Sequence, residues 1–325
     1  MTPLYISGVA VVNGTTRAVE TPTNQALLPN LVPRERMLNA IALNQLMQQG
    51  SRMFGPLIIL PMIRFVNPEP AFFLAAGMYA VGWSQVLSIR TVSRGVVEAA
   101  HGVALNLIAG IRFIYTHPLV LSIVLLTVLH CALAMAFESV FPFYSRAQLG
   151  MKTGKDLFQG PTYLMIGVGA GGILGNLGLG RIEGRNIRGQ LLLGLGLLSG
   201  LTPIALGFAT SLHAAVIAAA AIGASAAAFM TLTQGLVQSI APDGIRGRVM
   251  GAYTWHTQGT MSGFNAVNGV LMDLPWMTAH ILLTGMGLIF MTIMLGSFLP
   301  APLRGIYARG MPADPRAHPI RAPSA

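Results

Sequence analysis

Long apolar runs, separated by short connectors that carry arginine, make up most of the 325-residue chain. A helix of roughly 20 apolar residues crosses a bilayer core of about 30 Å, and the pattern predicts about nine such spans. The predicted spans are 3–19, 43–65, 70–89, 118–143, 161–179, 190–208, 212–240, 252–272 and 277–299. We therefore expect an all-α, polytopic membrane protein whose main partner is the lipid bilayer. The stretch from residue 300 onward, rich in proline and arginine, is expected to be a disordered tail.

The composition supports the same class of protein. Hydrophobic residues make up 53% of the chain and charged residues only 9%, with a mean hydropathy of +0.64. A soluble domain carries about 25% charged residues, so this chain would expose too much apolar surface to stay dispersed in water. The formal net charge of +10 does not indicate a nucleic-acid partner, because the arginines are grouped in the connectors between spans.

The distribution of positive residues predicts the orientation in the membrane. If the helices alternate, most lysines and arginines fall in the odd-numbered connectors and the C-terminal tail. The opposite side receives Arg64, Arg146, Lys152 and Lys155. The positive-inside rule then places the C-terminus in the cytoplasm, and we expect a bacterial cytoplasmic (inner) membrane.

Two connectors resemble each other. QALLPNLVP at 25–33 and QGLVQSIAP at 234–242 have glutamine and proline at the same separation, and each leads through arginine into a new apolar helix. Six predicted spans separate the two copies, and parallel six-helix repeats are a transporter architecture. Only one short span precedes the first copy, whereas four would be expected. We therefore expect the chain to begin within the fourth helix of a twelve-helix protein.

Three stretches carry a family resemblance: RAVETPTNQALLPNLVPRERMLNAIALN followed by RMFGP, then GIRFIYTHPLVL, and finally IAPDGIRGRVMGAY. With them the chain resembles the major facilitator superfamily, in the branch of drug and siderophore exporters that includes the enterobactin exporter. The resemblance implies two six-helix bundles, alternating access, a mid-membrane path for a small-molecule substrate, and efflux driven by proton antiport. The family's antiporter pattern belongs to the fifth helix of the full twelve-helix fold, and this chain matches it only in part. Gly55 and Pro56 are present, but Ser51 occupies a glycine position.

The resemblance also implies a division of the chain. Residues 1–92 would be the remainder of the N-terminal half-bundle, equivalent to the fourth to sixth helices of the full fold. Residues 93–117 would be the cytoplasmic linker between the bundles, 118–299 the C-terminal six-helix bundle, and 300–325 the tail.

Polar side chains inside a membrane span are costly and therefore indicate a cavity or a partner. Gln45, Gln49 and Arg52 fall on one helical face, at spacings of four and three. We interpret this face as lining a substrate cavity, with Arg52 holding an anion or pairing across the bundle. The alternative is that Arg52 extends to the cytoplasmic headgroups.

A second polar face lies on the span from residue 252. Gln258, Ser262, Asn265 and Asn268 share it. Such a stripe either lines the cavity or makes hydrogen bonds between helices, worth about 0.6 kcal/mol on average. The sequence leaves both interpretations open.

The carboxylate of Glu138 falls well inside the predicted span 118–143. It is a candidate proton carrier, and its alternative role is an interfacial partner of Arg146. His130, eight residues earlier, would lie about 80° round the same helix, so the two side chains could face one cavity. A structural role for His130 is the alternative.

Charged connectors provide candidates for a cytoplasmic gate that latches the inward-closed state. These candidates are Arg181, Glu183, Arg185, Asp243, Arg246 and Arg248. They could equally be a cluster that only sets topology.

Other motifs narrow the function. Gly167, Gly171 and Gly175 form a small-xxx-small face, which predicts close helix packing. There is no Walker A sequence, no paired metal-ligand spacing and no nucleophile–base arrangement, so we expect no cofactor, no metal and no enzymatic activity. The alternatives to a transporter are a shortened, non-transporting form of one and, with less support, a membrane-embedded enzyme. Oligomeric state is not predicted.

Overall fold

The computed structural model describes residues 16, 37–65, 69–88, 103–152, 154, 156–182, 187–242 and 244–310. Within these residues the chain forms eleven helices and no strands. The helices are α1 (Met37–Phe65), α2 (Glu69–Leu87), α3 (Val103–Thr116), α4 (Pro118–Leu133), α5 (Phe141–Ala147), α6 (Asp156–Gly180), α7 (Arg188–Phe208), α8 (Leu212–Ile240), α9 (Arg246–Leu271), α10 (Ala279–Gly296) and α11 (Ala301–Arg309). The predicted all-α fold is confirmed.

Five of the described helices are long and apolar enough to cross a membrane, and they coincide with five predicted spans. These are α2, α6, α7, α8 and α10. A sixth candidate is the pair α3 and α4, which is bent by 105°. Helices α1 and α9 have 29 and 26 residues, so they are long enough, but their polar faces lower their hydropathy. The predicted span 3–19 lies outside the described residues.

The predicted span 118–143 is wrong as a single helix. Helix α4 ends at Leu133, residues 134–140 form turns, and the short helix α5 starts at Phe141. Pro142 favours the new start, since proline has no N–H to continue a helix and fits the first turn of one. The turns bring Glu138 out of the α4 axis.

The α3–α4 bend falls at His117. The His117 ring accepts a hydrogen bond from the N–H of Val120, and Pro118 occupies the first turn of α4. This junction closes the segment predicted as an inter-bundle linker, which contains helix α3. Gly110 of α3 lies against the backbone carbonyl of Arg248 at the start of α9.

The predicted disordered tail is wrong for its first part. Residues Ala301–Arg309 form α11, whose Leu303, Ile306 and Tyr307 are buried. Gly189, at the start of α7, lies against the carbonyl of Ile306. The Tyr307 hydroxyl bonds the Ser297 Oγ at 2.8 Å. Residues 311–325 lie outside the described part of the chain.

The glycine face of α6 packs against α8. A methyl group added to Gly167, Gly171 or Gly175 would meet a backbone carbonyl of α8. The carbonyls belong to Val216, Ala220 and Ala224. Glycine at these positions therefore lets the two backbones touch, as the small-xxx-small spacing predicted.

Two large hydrophobic cores hold helices α3 to α11 together. One surrounds Phe229 of α8 and Phe290 of α10 and extends to α3, α4, α7, α9 and α11. The other surrounds Phe141 and Leu164 and joins the turns before α5 to α6, α7, α8 and α10. The large side chains of helix α2 are exposed.

Candidate functional site

Helix α1 is held against α6 by glycines. A methyl group at Gly169 of α6 would meet the backbone of Met53 and of Arg52, and one at Gly172 would lie 2.6 Å from the Gln49 Oε1. The absent side chains leave room for α1 to approach the α6 backbone. The Gln49 amide therefore lies directly over Gly172, and Arg52 follows one turn later. The side chain of Gln45 lies outside the described part of the structure.

Arg52 forms an ion pair with Glu138. The Arg52 Nη2 and the Glu138 Oε1 are 3.4 Å apart, and the two side chains are 29% and 37% exposed. The pair joins α1 to the turns between α4 and α5, elements that are far apart in the sequence. The alternative partner, Arg146, is exposed on α5 and makes no ion pair with Glu138 in the described structure. The pair therefore links α1 to the α4–α5 segment across a long stretch of intervening chain.

The polar face of α9 divides into two parts. Asn268 is fully buried and its Nδ2 donates to the carbonyl of Ala136 at 2.5 Å. The Asn265 Oδ1 accepts from the N–H of Ser139 at 3.2 Å. Gln258 and Ser262 are exposed. The asparagines therefore bond the turns that carry Glu138, whereas Gln258 and Ser262 stay candidates for lining a substrate cavity.

His130 lies in the protein core. Its Nε2 is 3.0 Å from the Ser199 Oγ, and its ring packs on those of Phe229 and Phe290, with centroids 4.4 and 5.3 Å away. The prediction that His130 and Glu138 lie on one helix, about 80° apart, is wrong, because α4 ends at Leu133 and the chain turns before residue 138. His130 is buried among aromatic rings rather than aimed at a cavity.

The candidates for the cytoplasmic gate are only partly described. Arg181 is exposed just after α6, and Arg246 and Arg248 are partly buried in the first turn of α9. The remaining candidates, Glu183, Arg185 and Asp243, lie outside the described residues. The gate therefore stays a prediction.

The structure also adds residues that the sequence reasoning missed. Thr231 of α8 donates to the Asn176 Oδ1 of α6 at 2.8 Å, next to the glycine face. The Tyr115 hydroxyl of α3 lies 3.4 Å from the His256 Nε2 of α9. An asparagine inside a glycine-rich span is a readable signal. The sequence carried no signal for the bond from the Ser139 N–H. That bond depends on a break in the helix, and the apolar residues around Ser139 predicted a continuous helix.

The comparisons agree with this arrangement of helices. The transmembrane secretion effector family, a branch of the major facilitator superfamily, matches residues 1–309. No curated protein matches the chain. Because the family match covers almost the whole chain and the described fold is a bundle of apolar helices, this chain belongs to the transmembrane secretion effector family of major facilitator transporters.

Proposed function

We propose that this transporter exports a small molecule, of the drug or siderophore type, across the bacterial cytoplasmic membrane in exchange for protons. The observation that carries the proposal is the ion pair between Arg52 of α1 and Glu138 of the broken α4–α5 segment. It joins two parts of the molecule that must separate and rejoin if access alternates between the two sides of the membrane.

Glu138 is the member of the pair that can change its charge. An arginine side chain stays protonated in proteins, whereas a carboxylate gains and loses a proton. When Glu138 takes up a proton, its attraction for Arg52 is lost and α1 is released from the turns. When the proton leaves, the charged pair reforms. Proton uptake on one side and release on the other would then drive the alternation.

The substrate path is proposed beside this pair. Gln49 on α1, and Gln258 and Ser262 on α9, offer neutral donors and acceptors. Gln258 and Ser262 are exposed and Gln49 is partly so. Such a lining suits a substrate with its own hydrogen-bonding groups. Transport is proposed because the chain belongs to a family of transporters.

Inverted membrane vesicles test the proposal. Respiration acidifies the vesicle lumen and quenches quinacrine, and a compound that enters in exchange for protons restores the fluorescence. We expect ethidium or enterobactin to restore it in vesicles containing this chain, and neither to do so in vesicles from cells with an empty vector. If neither probe restores fluorescence while a known proton antiporter responds in parallel, proton-coupled export of these two classes is wrong.

A further inference from the structure

The turns at residues 134–140 are bonded to α9 as well as to the helices that they connect. A break in a membrane helix leaves backbone N–H and C=O groups without their usual partners, and each must be satisfied within the protein. Asn268 satisfies the carbonyl of Ala136, and Asn265 satisfies the N–H of Ser139. The two bonds lie on either side of Glu138, two residues before it and one after.

The orientation of both amides is determined by their partners. The Ala136 carbonyl only accepts, so Asn268 must present its NH2 group, and the Ser139 N–H only donates, so Asn265 must present its oxygen. The Asn265 Nδ2 also donates to the carbonyl of Met261, one turn earlier on α9, at 3.1 Å. Asn265 is thus fixed to its own helix and to the turns at once.

The turns also pack into the core through Phe137 and Val140, and the Glu138 carboxylate meets Arg52 of α1. The segment is therefore bonded to α9 through its backbone and to α1 through one side chain. A shift of the turns would change the distance between the carboxylate and the guanidinium, and the energy of an ion pair depends on that distance.

We infer that Asn265 and Asn268 are positioning residues for Glu138, which hold the turns so that its carboxylate meets Arg52. This role differs from the lining of a substrate cavity, which was one of the two interpretations of the α9 face. The inference rests on the proposed function for the importance of Glu138, but the geometry it asserts can be measured without any substrate.

Chemical cross-linking measures that geometry. Cys131 is the single cysteine, so C131A gives a cysteine-free background into which R52C and E138C are introduced. A bifunctional methanethiosulfonate reagent joins the two cysteines. A protease site inserted between residues 92 and 93 shows whether the two parts of the chain are linked. We expect efficient cross-linking in the purified, full-length protein.

The asparagines are then replaced by leucine, which has nearly the same shape and no polar atoms. We expect N265L and N268L each to slow cross-linking by about fivefold or more, since supporting residues hold a site to within a fraction of an ångström. The matched control is Y253F, which also removes a hydrogen bond between α9 and another helix, to Thr233 of α8, about three turns before Asn265 on α9. It should cross-link at the rate of the parent.

The outcomes separate the inference from the proposed function. Unchanged cross-linking in folded N265L and N268L, or no cross-linking in the parent, would overturn the positioning role whatever happens to transport. Slower cross-linking in both variants would support the positioning role. If the unchanged chain at the same time gave no quinacrine response to either probe, that result would count against proton-coupled export. If leucine at the fully buried Asn268 prevents folding, N265A carries the test with the same expectation, because Asn265 is only partly buried.

Discussion

The Arg52–Glu138 pair is the residue-scale feature with the most consequence for function. Both side chains are about a third exposed, and where water reaches such a pair it contributes about 1 kcal/mol or less to stability. Its loss should therefore change the melting temperature little. A large effect of E138Q on transport would then reflect coupling rather than unfolding.

His130 behaves differently at the same scale. It is buried between two phenylalanine rings and bonds Ser199, so its contribution comes from packing and one hydrogen bond. Removing the hydrogen bond costs about 1 kcal/mol, whereas truncating the ring leaves a cavity that costs about 3 kcal/mol or more.

We therefore expect H130L to keep at least about half of the quinacrine response and H130A to lose melting temperature through the larger cavity. The vesicle assay checks the transport by H130L. Size-exclusion chromatography after heating to a series of temperatures gives the melting temperature of H130A. Abolished exchange in a folded H130L protein would contradict the structural role and support a role in proton transfer.

At the scale of the elements, close contacts between helices depend on glycine. Gly171 of α6 lies against the carbonyl of Ala220, whereas Gly178 of the same helix has open space around it. Any side chain at residue 171 forces α6 and α8 apart. A methyl group added at Gly178 has no atom of another element within 4 Å.

We expect G171V to unfold at a markedly lower temperature, because overpacking costs about 1–3 kcal/mol or more, and G178V to unfold close to the parent. Thermal melts in the same detergent compare the two. Equal stability of the two variants would show that the backbone contact between α6 and α8 is not as described.

Some of these elements were predictable from the sequence and others were not. Apolar runs located α6, α7, α8 and α10, and the spacing of Gly167, Gly171 and Gly175 predicted a tight helix contact. The break after Leu133 was not predictable, because the apolar residues around it fit a helix and its backbone partners are on α9. The sequence allowed Arg52 to pair across the bundle, but it did not give Glu138 as the partner, because that depends on where two distant elements meet. Helix α11 was hidden by its prolines and arginines, although Leu303, Ile306 and Tyr307 form a buried face.

At the scale of the whole molecule, two kinds of contact meet at α1. Gly169 and Gly172 hold it against α6 by close packing, and Arg52 holds it to the α4–α5 turns by charge. The packing contact involves uncharged groups, whereas the other contact is an ion pair. A rocking motion that keeps the glycine contact and opens the ion pair would use the first as a pivot and the second as the latch. The cytoplasmic position of the C-terminus stays a prediction from the positive residues.

The measurement that tests the coupling claim most directly compares two kinds of transport in E138Q proteoliposomes. Counterflow exchanges labelled for unlabelled substrate without net proton movement, while transport driven by a pH gradient requires it. With ethidium or enterobactin, whichever the parent exchanges, we expect E138Q to retain at least about half of the counterflow and to lose about tenfold or more of the gradient-driven transport. The control D156N removes an exposed carboxylate at the start of α6 and should keep both activities. Gradient-driven transport by E138Q at the parental rate would contradict the account.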